Sequence, residues 1–230
     1  MQFKSARLIL AHCAFRYDPS AADPASNRMD SVHRCAVAFL FRSFGVRRSD
    51  VMYVVFANGV LRLTSDVRNG FPRGCNAASE GSFLHAVFRG GRGASFSPHM
   101  SSIRDAFRDL VRPGSACLAL DSTGVNLELS GETKAKRRYA CPESATYVVG
   151  GPRGYSPLNF DQICSASREA AGSNFFPVSL NGPQQFASAV IAFLQVTNDA
   201  SALRPAVDRT FYGDGASGRG CAEVKYVRSV

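Results

Sequence analysis

The stretch Met29-Asp-Ser-Val-His-Arg-Cys-Ala-Val-Ala-Phe-Leu-Phe-Arg-Ser-Phe-Gly-Val-Arg-Arg-Ser-Asp-Val-Met-Tyr-Val-Val-Phe56 holds two periodicities back to back. Met29, Val32, Ala36, Val37, Leu40, Phe41 and Phe44 fall at helical spacing, and Gly45 stands where a C-terminal cap would be. Val51 to Phe56 is a continuous apolar run ended by Ala57-Asn58-Gly59, the pattern of a strand buried on both faces of a parallel sheet. A helix feeding straight into such a strand predicts an α/β architecture.

Working toward the N-terminus, Phe3, Leu8, Ile9 and Leu10 read as a first strand that meets a loop at Asp18–Asn27. Lys4, Arg7 and Arg16 precede any acid, which also resembles a mitochondrial presequence, so the expected compartment is the cytoplasm with the mitochondrion as alternative. Toward the C-terminus, residues 60–100 carry little pattern beyond a short helix suggested over Ser79–Arg89. Ile103 to Val111 is amphipathic and is stopped by Pro113-Gly114, before the apolar strand Ala116–Leu120 and a turn at Asp121-Ser-Thr-Gly124. Two further strands run into glycine turns: Ala145–Val149 into Gly150-Gly-Pro-Arg-Gly154, and Phe175–Leu180 into Asn181-Gly182-Pro183. Residues 186–194 are helical and almost wholly apolar, which suits either a central core element or a subunit interface. The tail 204–230 has little to bury and is expected to be an irregular arm.

The 230 residues carry a net charge of +9 and are 45% hydrophobic, which excludes wholesale disorder and favours a polyanionic partner. No run approaches the roughly 18 apolar residues of a membrane span. Seven scattered cysteines without a Cys-x-x-Cys pair predict reduced thiols in an intracellular setting, with neither a disulfide framework nor a metal site. No Gly-x-Gly-x-x-Gly and no Walker sequence is present, so dinucleotide and ATP readings are poor. Glycine turns at the carboxyl ends of parallel strands remain the place to look for a ligand.

Leu120-Asp-Ser-Thr-Gly124, Tyr147-Val-Val-Gly-Gly-Pro-Arg-Gly-Tyr155 and Val178-Ser-Leu-Asn-Gly-Pro183 with Ala187-Ser188 resemble, in order, the three motif loops of the SPOUT class of RNA methyltransferases. Asn27-Arg-Met-Asp-Ser-Val-His-Arg-Cys35 and Phe44-Gly-Val-Arg-Arg-Ser-Asp-Val-Met-Tyr53 resemble the archaeal tRNA pseudouridine N1-methyltransferases. Arg28, Asp30 and His33 also match a motif of the related eukaryotic ribosome-biogenesis enzyme. The resemblance covers about residues 1–56 and 116–200. It implies one SPOUT domain over 1–203, a mostly parallel sheet with a C-terminal trefoil knot, and 204–230 as an extension.

The resemblance further implies S-adenosyl-L-methionine as cofactor, held by Leu120, Gly150, Gly151, Gly154, Ser179, Leu180, Asn181, Gly182 and Pro183, and a structured RNA, tRNA or rRNA, as partner. Removing the imide-type proton from N1 of a pseudouridine calls for a base or a cation that stabilises the anion. Asp30 between Arg28 and Arg34 is the candidate, the alternative being an Asp–Arg pair that orients the helix. Arg28, His33, Arg34, Arg47 and Arg48 are the expected RNA contacts. A homodimer through 186–194 is expected. The archaeal Asp-His of the knot turn is replaced here by Gly151-Pro152, and Asn181 is an extra residue; the lost Asp-His and the extended tail favour the alternative of a noncatalytic RNA-binding factor with ribosomal assembly partners.

Overall fold

A computed structural model describes residues 5–20, 23, 25–42, 45–70, 82–83, 87, 92–98, 102–126, 144–151, 157–179, 187–192, 194–195, 209–213 and 222–226. The first strand expected from the sequence is β1, Ser5–Ala11. It runs parallel to β4 (Val51–Phe56) on one side, with Leu8 opposite Met52, and parallel to β8 (Ser144–Gly150) on the other, with Leu8 opposite Tyr147. Beyond β8 follow β7 (Ala116–Asn126) and β9 (Phe175–Ser179), again parallel. On the far side, β5 (Gly59–Thr64) and β6 (Ala94–Pro98) add an antiparallel edge, so the sheet order is β6-β5-β4-β1-β8-β7-β9.

Alternation along β1 builds two cores. Leu8 and Leu10 join Met52, Val54, Tyr147 and Val149 on one face, which α1 (Met29–Leu40) covers with Met29, Val32, Cys35, Ala36 and Phe39. Ile9 and Ala11 join Val55, Val148 and Ala119 on the other, beneath Phe107 of α2 (Ile103–Leu110) and Ile163 and Ala166 of α3 (Pro157–Ala171). Side chains of successive strand residues point to opposite faces, so both faces need apolar residues, and the strands read as unbroken apolar runs. The amphipathic α2 starts at Ser102, whose hydroxyl accepts from the Asp105 backbone N–H (3.1 Å).

Three expectations are corrected. The first helix ends at Leu40, not Phe44: Phe41–Arg42 (β2) is extended and pairs antiparallel with Gly45–Val46 (β3), so Gly45 is a hairpin residue and not a cap. Arg47 drives that reversal, its backbone N–H bonding the Leu40 carbonyl (2.9 Å) and its Nη1 the Phe41 carbonyl (2.6 Å). Asp121–Gly124 does not end its strand. Leu120 and Val125 both lie opposite Val178, and the four residues between form an irregularity inside β7. The pattern-poor stretch 60–100 supplies β5, β6 and the 3-10 turn Ser65–Gly70; of the suggested helix, residues 82–83 and 87 are helical and the rest lies outside the described residues. Within the tail, β10 (Arg209–Gly213) and β11 (Ala222–Tyr226) form an antiparallel hairpin, with β11 beside β7 and β9, where an irregular arm was expected. Thr210, Phe211, Tyr212 and Val224 are strand formers diluted in the composition by the glycines between them.

Residues 187–192 and 194–195 are helical, and Ile191 and Leu194 are buried in the α1-side core. Of the two alternatives for this segment, these side chains take the core. Gln195 is buried too, its Nε2 donating to the Phe39 carbonyl (3.1 Å) and to Asp50 Oδ2 (3.3 Å), while Asp50 Oδ1 accepts from the Ala6 N–H (2.9 Å). This buried polar set ties the last helical segment to α1 and β1.

Candidate functional site at the carboxyl edge of the sheet

From β1 the chain passes through α1 to β4 on one side, whereas from β8 it passes through α3 to β9 on the other. Connections therefore diverge between β1 and β8, the switch point where open α/β sheets leave a crevice. At that point the Gly151 N–H donates to the Ala11 carbonyl (2.9 Å). A Cβ on Gly151 would come within 2.8 Å of the Ala11 oxygen and 3.1 Å of His12 Nδ1, so the turn reaches β1 only because residue 151 has no side chain. Gly150 sits one residue earlier, paired with Ala11.

His12, the residue that follows β1, is 1% exposed. Its backbone N–H bonds the Val55 carbonyl (2.9 Å), and its ring stacks on Phe15 (4.6 Å) and meets the edge of Phe56 (5.2 Å). Nε2 lies 2.8 Å from the Asn27 carbonyl, which can only accept, so Nε2 carries the proton. Burial pushes the imidazole pKa down; Arg28 adds to this, and the Asn27 bond and Asp30 oppose it. The ring is neutral at pH 7, and Nδ1 is a buried acceptor on the side of Gly151, with no hydrogen-bond partner among the described residues.

Asn27 and Arg28 both adopt left-handed backbone conformations (φ 51° and 56°). Each such non-glycine residue costs on the order of 1 kcal/mol and persists only where its surroundings enforce it. The kink turns Arg28 back over the first turn of α1, where its Nε and Nη2 donate to Asp30 Oδ1 (3.0 Å) and Oδ2 (3.3 Å). Arg34 Nη2 donates to the same Oδ2 (2.6 Å), one helical turn on. Burial alone would raise the Asp30 pKa, but the bonds and charges of the two guanidinium groups outweigh it and hold the carboxyl below its ordinary range. Asp30 is thus a weak base, suited to aligning two half-exposed cations. The ion pairs themselves, screened by water, contribute about 0.3–1 kcal/mol each.

The structure brings Arg28, Asp30 and Arg34 together and, through His12, sets them near Gly150 and Gly151. Leu120 and Ser179 lie on β7 and β9, at the same edge of the parallel sheet. Gly154, Leu180, Asn181, Gly182 and Pro183 lie outside the described residues. Arg48 is exposed in the turn before β4. Two expected RNA contacts are turned inward. His33 is 4% exposed with its ring against Phe83 (5.1 Å), and Arg47 is 8% exposed and bound to the hairpin backbone. Helical spacing puts residue 33 one position from the Arg34 surface, and only the packing of Phe83 shows which side is covered. His12 was not among the sequence candidates; its one signal was a histidine closing an apolar strand.

No family model matches the sequence, and no characterised protein matches it by sequence search. Among solved structures, the chain is similar to the crystal structure of Archaeoglobus fulgidus Nep1 bound to S-adenosylhomocysteine, with a TM-score of 0.53, 15% identity, and coverage of 89% of this chain and 100% of that one. The likeness is one of fold: the α/β arrangement with a mostly parallel seven-stranded sheet is the SPOUT-like one expected from the sequence.

Proposed function

We propose that this chain is an RNA methyltransferase of the SPOUT α/β-knot class that uses S-adenosyl-L-methionine and methylates a base in structured RNA, N1 of a pseudouridine in tRNA or rRNA. The observation that carries it is the Gly150–Gly151 turn pressed against the end of β1 at the switch point and linked through His12 and Asn27 to the Arg28–Asp30–Arg34 cluster. The solved neighbour of this fold holds S-adenosylhomocysteine, the demethylated form of the proposed cofactor, which supports the same reading.

The residues fit such a cofactor. A turn whose glycine has no room for a Cβ exposes main-chain N–H and C=O groups, which grip a small polar ligand at close range. Bound there, the cofactor would supply an electrophilic methyl group on a sulfonium. The chain's own part is to hold the base in line with it and to stabilise the anion left when the N1 proton departs. Asp30, kept ionised by its partners, is less suited to take that proton than to aim Arg28 and Arg34 at the developing charge or at flanking phosphates. With this reading go a trefoil knot at the motif loops, a cytoplasmic location, and a homodimer through the outward side of residues 186–194, where Ala189 is exposed. Replacement of the archaeal Asp-His by Gly151-Pro152 favours a second reading, a noncatalytic RNA-binding factor that works with ribosomal assembly partners.

The test is transfer of labelled methyl from S-adenosylmethionine to cellular RNA with nucleoside analysis, alongside calorimetric titration with S-adenosylhomocysteine and a Gly150→Trp control. Label in 1-methylpseudouridine that the control loses establishes the reaction. RNA binding without label and without heat of cofactor binding selects the assembly factor.

A further inference from the structure

We infer that His12 is the positioning residue of the site: by donating Nε2–H to the Asn27 carbonyl it holds the left-handed Asn27–Arg28 step, and so fixes the Arg28–Asp30–Arg34 cluster relative to the Gly150–Gly151 turn. The inference rests on the RNA methyltransferase reading and adds a residue to it.

Three observations converge on this role. His12 is held from three sides: its main chain by β4 through the Val55 carbonyl, its ring faces by Phe15 and Phe56, and its Nε2 by Asn27 (2.8 Å). Its other edge abuts the cofactor turn, since the space that a Gly151 side chain would need ends at Nδ1. The residues it holds are the only two non-glycine positions with left-handed backbone among the described residues, and the second of them is Arg28. Strained backbone of this kind relaxes unless something over-determines it. Besides the local bonds of Arg28 to the Ala25 carbonyl (3.1 Å) and to Asp30, the step is tied to the end of β1 by this one hydrogen bond across 15 residues.

Packing does not account for a histidine at this place. A buried imidazole with one nitrogen bonded and the other without a partner among the described residues is a poorer core residue than a hydrocarbon of its size. What an imidazole offers that leucine or phenylalanine cannot is a rigid donor reaching the Asn27 carbonyl while its opposite edge rests against the turn.

Two variants separate positioning from plain structural support. In His12→Gln the amide nitrogen extends about as far as Nε2 and can restore the bond to Asn27; in His12→Asn it falls short. Affinity would be measured for a labelled pseudouridine-containing stem-loop RNA without cofactor, and for S-adenosylhomocysteine by calorimetry, together with melting temperatures. For His12→Asn the expected result is a loss of about tenfold or more in RNA affinity, the scale of one misplaced charged contact. Affinity for S-adenosylhomocysteine should stay within about threefold of wild type, and His12→Gln should recover most of the RNA affinity. Equal impairment of both variants, unchanged RNA affinity in His12→Asn, or parallel loss of both ligands overturns the inference. Should either variant fail to fold, nitrogen NMR of wild-type His12 decides: a protonated Nε2 and bare Nδ1 support the role, and a proton on Nδ1 refutes it. Wild-type protein that binds the RNA but not S-adenosylhomocysteine overturns the methyltransferase reading alone, and wild-type protein that binds neither overturns both.

Discussion

A Cβ on Gly151 would press on the Ala11 carbonyl and on His12, and Gly151 and His12 each make their own prediction. Alanine at 151 would drive a Cβ to 2.8 Å from the Ala11 oxygen, a backbone atom that cannot swing aside. Gly151→Ala is expected to cost about 1–3 kcal/mol of stability and to abolish calorimetric binding of S-adenosylhomocysteine. His12 should appear in the acid side of the stability curve. Its folded pKa is lowered, chiefly by burial, so below about pH 6.5 the unfolded chain binds the proton more readily than the folded one, and stability falls as pH drops. Melting temperatures between about pH 7.5 and pH 5.5 should decline more steeply in wild type than in His12→Gln. Asp30 does not contribute in that window, because its pKa lies below the ordinary carboxylate range. Arg34 and Arg47, both read from the sequence as RNA contacts, should separate: Arg34→Gln weakens RNA binding and reduces the slope of log affinity against log salt by about 0.7–0.9 with little change in melting temperature. Arg47→Gln instead lowers the melting temperature, because it removes the clamp on the Phe41 carbonyl.

At the scale of elements, α1 and the final helical segment show where periodicity is a reliable guide and where it stops. The apolar stripe of α1 was readable because Met29, Val32, Ala36 and Leu40 must all face the same sheet. Its end was not, because a hydrogen bond from Arg47 and pairing with Val46 draw Phe41 out of the helix, and neither partner is local to the stripe. For residues 186–194 an all-round apolar pattern cannot distinguish core from interface. Since Ile191 is 1% exposed within its own chain, Ile191→Asp is expected to destabilise by about 3 kcal/mol or more and to appear as loss of cooperative unfolding rather than as a folded monomer. Thermal denaturation monitored by circular dichroism checks this. The hairpin Arg209–Gly213 with Ala222–Tyr226 was missed for the opposite reason: two short strands separated by glycines carry too little apolar content to register until they are paired.

In the whole molecule, the parallel strands were legible as five apolar runs ending in glycine or polar turns, and so were the order of helix and strand and the two faces to be covered. Those features follow from local side-chain chemistry, because a strand buried on both faces must be apolar throughout and a turn at its end needs residues tolerant of tight geometry. The antiparallel edge β5–β6 escaped notice since its strands mix Gly, Arg and Ser with apolar residues and gain their identity from pairing. The site divides in the same way. Gly150, Gly151, Arg28, Asp30 and Arg34 could be picked from motif and spacing. The inward turn of His33 and Arg47, and the part played by His12, depend on Phe83, Phe41 and Asn27, residues 50, 6 and 15 positions away in the chain. By itself the sequence determined the fold class, the strand ends that make the crevice and the net charge of +9. Tertiary structure alone decided which cations face outward and which histidine bridges the crevice, because burial and hydrogen-bond partnership belong to pairs of residues that only folding brings together.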